Sequence, residues 1–118
     1  MNIRAASLDT PVATLSGGNQ QKVVLAKWLM TEPRLLLCDE PTRGVDVGAK
    51  AEIYELMNEL VEGGLGIVLV SSELSELLAL SDRIYVMHRG RTVAEFGREA
   101  ATQEAVMRAA MGEGRRAF

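Results

Sequence analysis

"LLLCDEP", residues 35–41, is the stretch on which the reading of this chain turns. Leu35, Leu36, Leu37 and Cys38 are consecutive apolar residues with no alternation, and they stop abruptly at Asp39, Glu40 and Pro41. An unbroken apolar run of this length fits a strand buried on both faces, as in a parallel sheet lying under helices. "GIVLVSS", residues 66–72, repeats the pattern: Ile67 to Val70 are apolar, and Ser71, Ser72 and Glu73 follow. Between the two lies "VGAKAEIYELMNELVEGG", residues 47–64. Its Ile53, Leu56, Met57 and Leu60 fall on one helical face, Asp46 is placed to cap its start, and Gly63-Gly64 ends it. Strand, helix, strand makes a βαβ unit and an α/β fold. In open α/β sheets ligands gather at the carboxyl ends of the strands, and both polar clusters fall there.

Upstream, "LSGGNQQKVVLAKWL", residues 15–29, opens a helix expected over 16–30. Ser16 is a candidate N-cap, and Glu32-Pro33 marks the end. Gln21, Val24, Leu25 and Trp28 share one stripe at helical spacing, with Trp28 expected against the sheet. Lys22 and Lys27 read as solvated helix positions. Downstream, a short helix is expected from Glu73 to Leu80. A β-hairpin turning at Arg89-Gly90 follows, and then a helix opening at Thr102. The sole histidine, His88, falls in the hairpin and is expected at the surface. Cys38 suits a small hydrophobic position, and the scattered methionines are expected to fill core gaps.

Bulk properties narrow the function classes. The 118 residues are enough for one small domain, and at 47% hydrophobic and 25% charged they are ordinary for a globular protein. A net charge of −3 and two Phe, two Tyr and one Trp argue against a nucleic-acid binder. One cysteine excludes an internal disulfide framework. No apolar run approaches the ~18 residues that a membrane span needs. The amino terminus lacks the apolar core of a secretory signal, so a cytosolic location is expected.

The polar clusters suggest chemistry. Adjacent carboxylates at the end of an apolar strand repel each other and resist desolvation, and a bound cation relieves both. Mg²⁺ suits them, because it is held by one or two carboxylates plus substrate phosphates. Strand neighbours point to opposite faces, so one carboxylate could serve the metal and the other a water. In the stretch Leu15 to Lys22, glycines permit close backbone approach. The first N–H groups of a helix lack partners and face a partially positive end, which makes an anion site. Asn19, Gln20 and Gln21 add hydrogen bonds there without adding negative charge. Each cluster also has an ordinary structural reading, as a solvated strand end or a capped helix.

Taken together, these stretches resemble the ATP-binding cassette ATPases. "LSGGNQQK" is similar to their signature motif, "LLLCDEP" to the Walker B strand, "GVD" ending at Asp46 to the D-loop, and "VSSELSE" lies where their switch region belongs. "DEPTRGVDVGAK", "VSSELSELLALSDRIYVMHRG" and "ATQEAVM" narrow the resemblance to the second cassette of monosaccharide importers of the ribose, galactose and xylose type. The resemblance implies a partial P-loop NTPase fold with a mostly parallel sheet, flanking helices and a carboxyl-terminal hairpin. It spans residues 1–118 as one partial nucleotide-binding domain. The signature helix is 16–30, Walker B to D-loop 35–46, the switch region 67–73, and the hairpin and last helix 82–112.

The resemblance also implies roles. Ser16, Gly17 and Gly18, with Asn19 or Gln20, would contact the γ-phosphate of an ATP held by an opposing cassette. Asp39 would support Mg²⁺, Glu40 would polarise the attacking water, and Asp46 would lie between cassettes. The partners implied are that second cassette and the transmembrane subunits of a sugar permease. The chain would then sit peripherally on the inner face of the membrane. Two departures stand out. No G-x-x-x-x-G-K-[ST] occurs in the 118 residues, and Ser72 stands where the family places a histidine. The expectation is therefore a piece of a longer ATPase, unable alone to hold ATP in the usual way. The alternative is an inert remnant. A chain without the strands that flank 35–38 and 67–70 is also expected to expose apolar faces and self-associate.

Overall fold

A computed structural model describes residues 17–112 and divides the chain into two compact units, Met1–Val70 and Ser71–Phe118. The described part of the first contains α1 (Gly17–Leu29), β1 (Leu35–Asp39), α2 (Val47–Glu62) and β2 (Gly66–Val70). β1 and β2 pair in parallel, from Leu35 opposite Gly66 to Asp39 opposite Val70, with α2 as the crossover. The βαβ expectation holds. Asp46 caps α2 as expected: its backbone is extended (φ −71°) and its Oδ1 accepts the Ala49 N–H at 2.8 Å. Gly63 closes the helix, and Gly64 turns the chain out at φ +105°, a conformation costly for any residue with a Cβ. Ile53 and Met57 of α2, Leu36 and Cys38 of β1 and Leu25 of α1 are buried.

The two strands are not buried on both faces. β1 alternates: Leu36 and Cys38 are each 7% exposed, whereas Leu35 is 56% and Leu37 72% exposed. Val68 and Val70 of β2 are also exposed, and Val68 is the register partner of Leu37. The four-residue apolar run is thus covered on one side only among the described residues, leaving a contiguous aliphatic face. This matches the expectation of uncovered apolar surface, and such a face favours association. Concentration-dependent oligomers are expected in sedimentation velocity, shifting toward monomer in the double variant Leu37→Asp/Val68→Thr. A parent chain that stays monomeric at every concentration would contradict this.

Several side-chain expectations in this unit are corrected. The buried stripe of α1 is Gly18, Lys22 and Leu25. Val24 and Trp28 are exposed, and Lys27 lies 5.6 Å from the Trp28 ring centroid in a cation–π contact. Trp28 therefore does not pack on the sheet. Lys22 is not solvated; it is buried and ion-paired with Glu52 of α2. Among the methionines Met57 fills core, but Met30, Met87, Met107 and Met111 are exposed.

The second unit contains α3 (Leu74–Leu80), β3 (Arg83–His88), β4 (Arg91–Gly97) and α4 (Gln103–Ala110). β3 and β4 pair antiparallel, with an irregularity in the ladder between Val86 and Met87. The hairpin turns where expected: Arg89 (φ +51°) and Gly90 (φ +76°) both take the left-handed conformation of a tight two-residue turn. Thr102 caps α4 by accepting the Ala105 N–H at 3.1 Å. Ile84 and Val86 of β3 and Val106 and Ala109 of α4 form the buried cluster, with Leu74, Leu77 and Phe96 packed against it. His88 is only part-exposed. Its Nδ1–H donates to the Ala110 carbonyl at 3.1 Å, so it holds down the last turn of α4 instead of lying free on the surface.

Candidate nucleotide-binding site

The segment from Glu40 to Asp46 links the carboxyl end of β1 to the amino end of α2 through consecutive turns. The Arg43 N–H donates to the Glu40 carbonyl at 3.2 Å, and the Val45 N–H to the Thr42 carbonyl at 3.0 Å. Thr42 is 1% exposed, and Gly44 takes φ +75°. The chain is therefore fixed from below by buried side chains and turned by a glycine where a Cβ would be strained.

The start of α1 lies directly on this segment. A Cβ at Gly17 would stand 3.4 Å from the Gly44 carbonyl oxygen. At Gly18 it would stand 2.6 Å from the Ala49 Cβ, a distance that real side chains essentially never adopt. Gly18 is buried and Gly17 exposed. The two glycines thus differ: Gly18 lets α1 touch α2, whereas Gly17 is exposed and a Cβ there would meet only ordinary contacts. Asn19 and Gln20 follow in the same turn, both part-exposed. Neither α1 nor α2 carries an acidic residue in its first turn. The amino-terminal turns of α1 and α2 meet at the Gly18–Ala49 contact, and such ends carry roughly half a positive charge each. Asp46 satisfies that of α2, while the end of α1 has no carboxylate in its first turn. Ser16 lies outside the described residues.

Asp39 and Glu40 stand at the other end of the same segment. Asp39 is exposed, on the bare face of β1. Glu40 lies just past the strand with φ +50°, and its N–H donates to the Val70 carbonyl at 2.7 Å. A left-handed backbone at a non-glycine residue costs about 1–2 kcal/mol, and the hydrogen bond to β2 helps to hold it. That turn takes Glu40 out of the strand's alternation, so the simple opposite-faces argument covers Asp39 alone. Among the described residues no group of three or more His, Cys, Asp or Glu converges.

In the second unit Ser72 is exposed, and the Ser71 Oγ accepts the Glu73 N–H at 3.0 Å just before α3. The sequence reading missed Lys22, Ala49 and Glu52 as parts of the α1–α2 contact. Helical spacing carried a signal, since Gly18 and Lys22 are four apart and Ala49 and Glu52 three apart. Helical spacing of the apolar residues alone favours a stripe through Val24 and Trp28 instead.

Comparison with known proteins bears on this arrangement. The family described as ABC transporter matches residues 1–43. The xylose import ATP-binding protein XylG of Geobacillus kaustophilus is 58% identical over 112 residues, which is 95% of this chain and 22% of that protein. The ribose import ATP-binding protein RbsA of Oceanobacillus iheyensis is 58% identical over 112 residues, 95% of this chain and 23% of that protein. Over nearly its whole length the chain is similar to ATP-binding cassette proteins. It spans about a fifth of the length of these relatives. Solved cassettes have the same fold. An ATP-binding cassette of an ABC transporter in its ADP conformation is 30% identical with a TM-score of 0.69, over 83% of this chain and 37% of that one. A bacterial ABC transporter cassette solved as a dimer is 27% identical with a TM-score of 0.72, over 81% of this chain and 41% of that one. The P-loop NTPase expectation stands, as a partial α/β domain with small sheets. Among the described residues no helix is long and apolar enough to cross a membrane.

Proposed function

We propose that the chain is a segment of the ATPase of a monosaccharide importer, and that it supplies signature, Walker B and D-loop residues to an ATP site completed by another cassette. The observation that carries this is the amino-terminal turn of α1, which holds no acidic residue and is seated on the segment that ends in Asp46. The xylose- and ribose-import relatives support the substrate class, and the cassette solved as a dimer supports a site shared between two chains. The 112-residue match runs through both units, which supports reading 1–118 as parts of one nucleotide-binding domain.

Phosphoryl transfer needs positioning and charge stabilisation more than covalent chemistry from the protein. In this reading Ser16 and the N–H groups of Gly17 and Gly18, with Asn19 or Gln20, receive the γ-phosphate of an ATP held by the opposing cassette. Gly18 serves mainly from beneath, since it is buried against Ala49. Asp39 is the residue to support Mg²⁺, which would neutralise charge on the phosphate oxygens. Glu40, held by β2, is the group to polarise a water. Asp46 orders the start of α2 at the interface between cassettes. The transmembrane subunits of a sugar permease are the further partner, placing the assembly at the cytoplasmic face of a membrane. The chain alone is inactive in this reading, because its 118 residues hold no Walker A motif and Ser72 replaces the switch histidine.

The test is calorimetry with Mg²⁺ and ATP, first on the chain alone and then on its mixture with a cassette bearing a Walker A motif. The expected result is no binding alone, and binding or hydrolysis in the mixture above that of the added cassette by itself. Ser16→Arg should abolish the gain. No gain in the mixture would leave an inert remnant and overturn the proposal.

A further inference from the structure

Two charged side chains are buried among the described residues, Lys22 in the first unit and Glu76 in the second, and Lys22 is the one on the helix that opens the proposed site. It is 4% exposed and forms an ion pair with Glu52, whose side chain is 43% exposed. Burying an ammonium is unfavourable unless it is paired and hydrogen-bonded, and a buried pair is weak evidence of stabilisation, since apolar replacements of similar volume often do as well. What such a pair does supply is geometry, because both ends must arrive together. Lys22 lies one turn after Gly18 on the same face of α1, and Glu52 lies one turn after Ala49 on the same face of α2. The Gly18–Ala49 contact and the Lys22–Glu52 pair are thus two successive fastenings along one helix–helix seam. The first sets how closely the helices approach. The second fixes rotation and sliding of α1, which a contact between two small residues does not fix.

We propose that Lys22, through Glu52, is a positioning residue that locks the amino-terminal turn of α1 to that of α2, so that Gly17, Asn19, Gln20 and Asp46 meet a nucleotide as one preset surface. This rests on the proposed ATP-site reading. Lys22 touches no substrate in this scheme and acts through the angle of α1. A helix end offers its N–H groups along its axis, so a few degrees of rotation, or a slip of about an ångström, misaims them, and misplacement on that scale can cost about a hundredfold in rate.

The test uses Lys22→Met, which keeps the volume and removes the charge, and Glu52→Gln, which alters a part-exposed position. Both are measured in the mixture with a Walker A-bearing cassette. Thermal unfolding and hydrogen exchange of residues 17–29 are followed in parallel. The expected result is a loss of at least tenfold in the ATP-dependent gain for both variants. For Lys22→Met the midpoint of unfolding should stay within about 4 °C; Glu52→Gln, which leaves the buried ammonium facing a neutral amide, should lower it further, and exchange in the first turns of α1 should be faster in both. Lys22→Arg, which keeps the charge, should restore most of the gain. A full gain in Lys22→Met and Glu52→Gln overturns the positioning role and leaves the ATP-site reading intact. A parent chain that gives no gain overturns the ATP-site reading and the positioning role with it. A gain that falls only in step with the unfolding midpoint assigns Lys22 to stability and overturns the proposal.

Discussion

Gly17→Asp is expected to leave the chain at least as stable as the parent while lowering ATP-dependent activity with a complementing cassette by a hundredfold or more. The two effects have separate causes. Gly17 is the first residue of α1 and is exposed, and a Cβ there reaches only to 3.4 Å from the Gly44 carbonyl oxygen. A carboxylate in the first turn of a helix is stabilising by roughly 0.3–1 kcal/mol. Replacing glycine at a compatible position stabilises by a further ~0.4–1 kcal/mol through the unfolded chain. For an anionic ligand the sign reverses: in the proposed site the new carboxylate would repel the γ-phosphate and compete for the N–H groups of that turn, an effect on the scale of losing one preorganised donor, about 10²–10³ in rate. The measurements are thermal unfolding and the ATPase gain in the mixture. A stable Gly17→Asp chain with undiminished gain would mean that this turn does not face the phosphate.

The neighbouring position should behave in the opposite way. Gly18→Leu is expected to cost about 3 kcal/mol or more, at the upper end of the ~1–3 kcal/mol typical of overpacking. The first added carbon alone would stand 2.6 Å from the Ala49 Cβ, and the rest of the side chain would have to enter the α1–α2 seam. Gly18→Ala is the sharper case. Alanine is the better helix former by ~1 kcal/mol, yet the contact should make the net change destabilising. Urea unfolding measures both. Ala49→Gly should recover part of the loss in the Gly18→Ala background, because it removes the atom that is struck. Gly18→Ala as stable as the parent would show that the seam can open without cost. Two adjacent glycines of one motif would thus separate cleanly, one acting on the ligand and one on packing.

The legible parts of this chain were those governed by local rules. The crossover helix could be bounded at both ends because Asp46 is a residue that caps and Gly63-Gly64 a pair that terminates, and both do so. The turn at Arg89-Gly90 and the cap at Thr102 were readable for the same reason. Asp39 and Glu40 could be placed at a strand end because charge does not continue a buried run. Their backbone difference could not: the left-handed turn at Glu40 is held by a hydrogen bond to Val70, thirty residues away. His88 reads as a surface residue by type, and only the approach of the last turn of α4 gives its ring a carbonyl to bond. Lys22 was misread more seriously, because no local rule buries a lysine.

By itself, then, the sequence determined the secondary elements, the parallel pairing of two apolar strands through a helix, and the motif resemblance that places the chain among ATP-binding cassettes. The elements and their pairing follow from period, capping and turn chemistry within a few residues of each position, whereas the resemblance rests on the motifs themselves. The tertiary structure decided which side of each element was covered. Leu35 and Leu37 are as apolar as Leu36, yet they are exposed because no layer lies on their face among the described residues. Lys22 is charged, yet it is buried because Glu52 stands opposite. Burial and ion pairing depend on what another element brings to the same place, and that information is not local to the residue concerned.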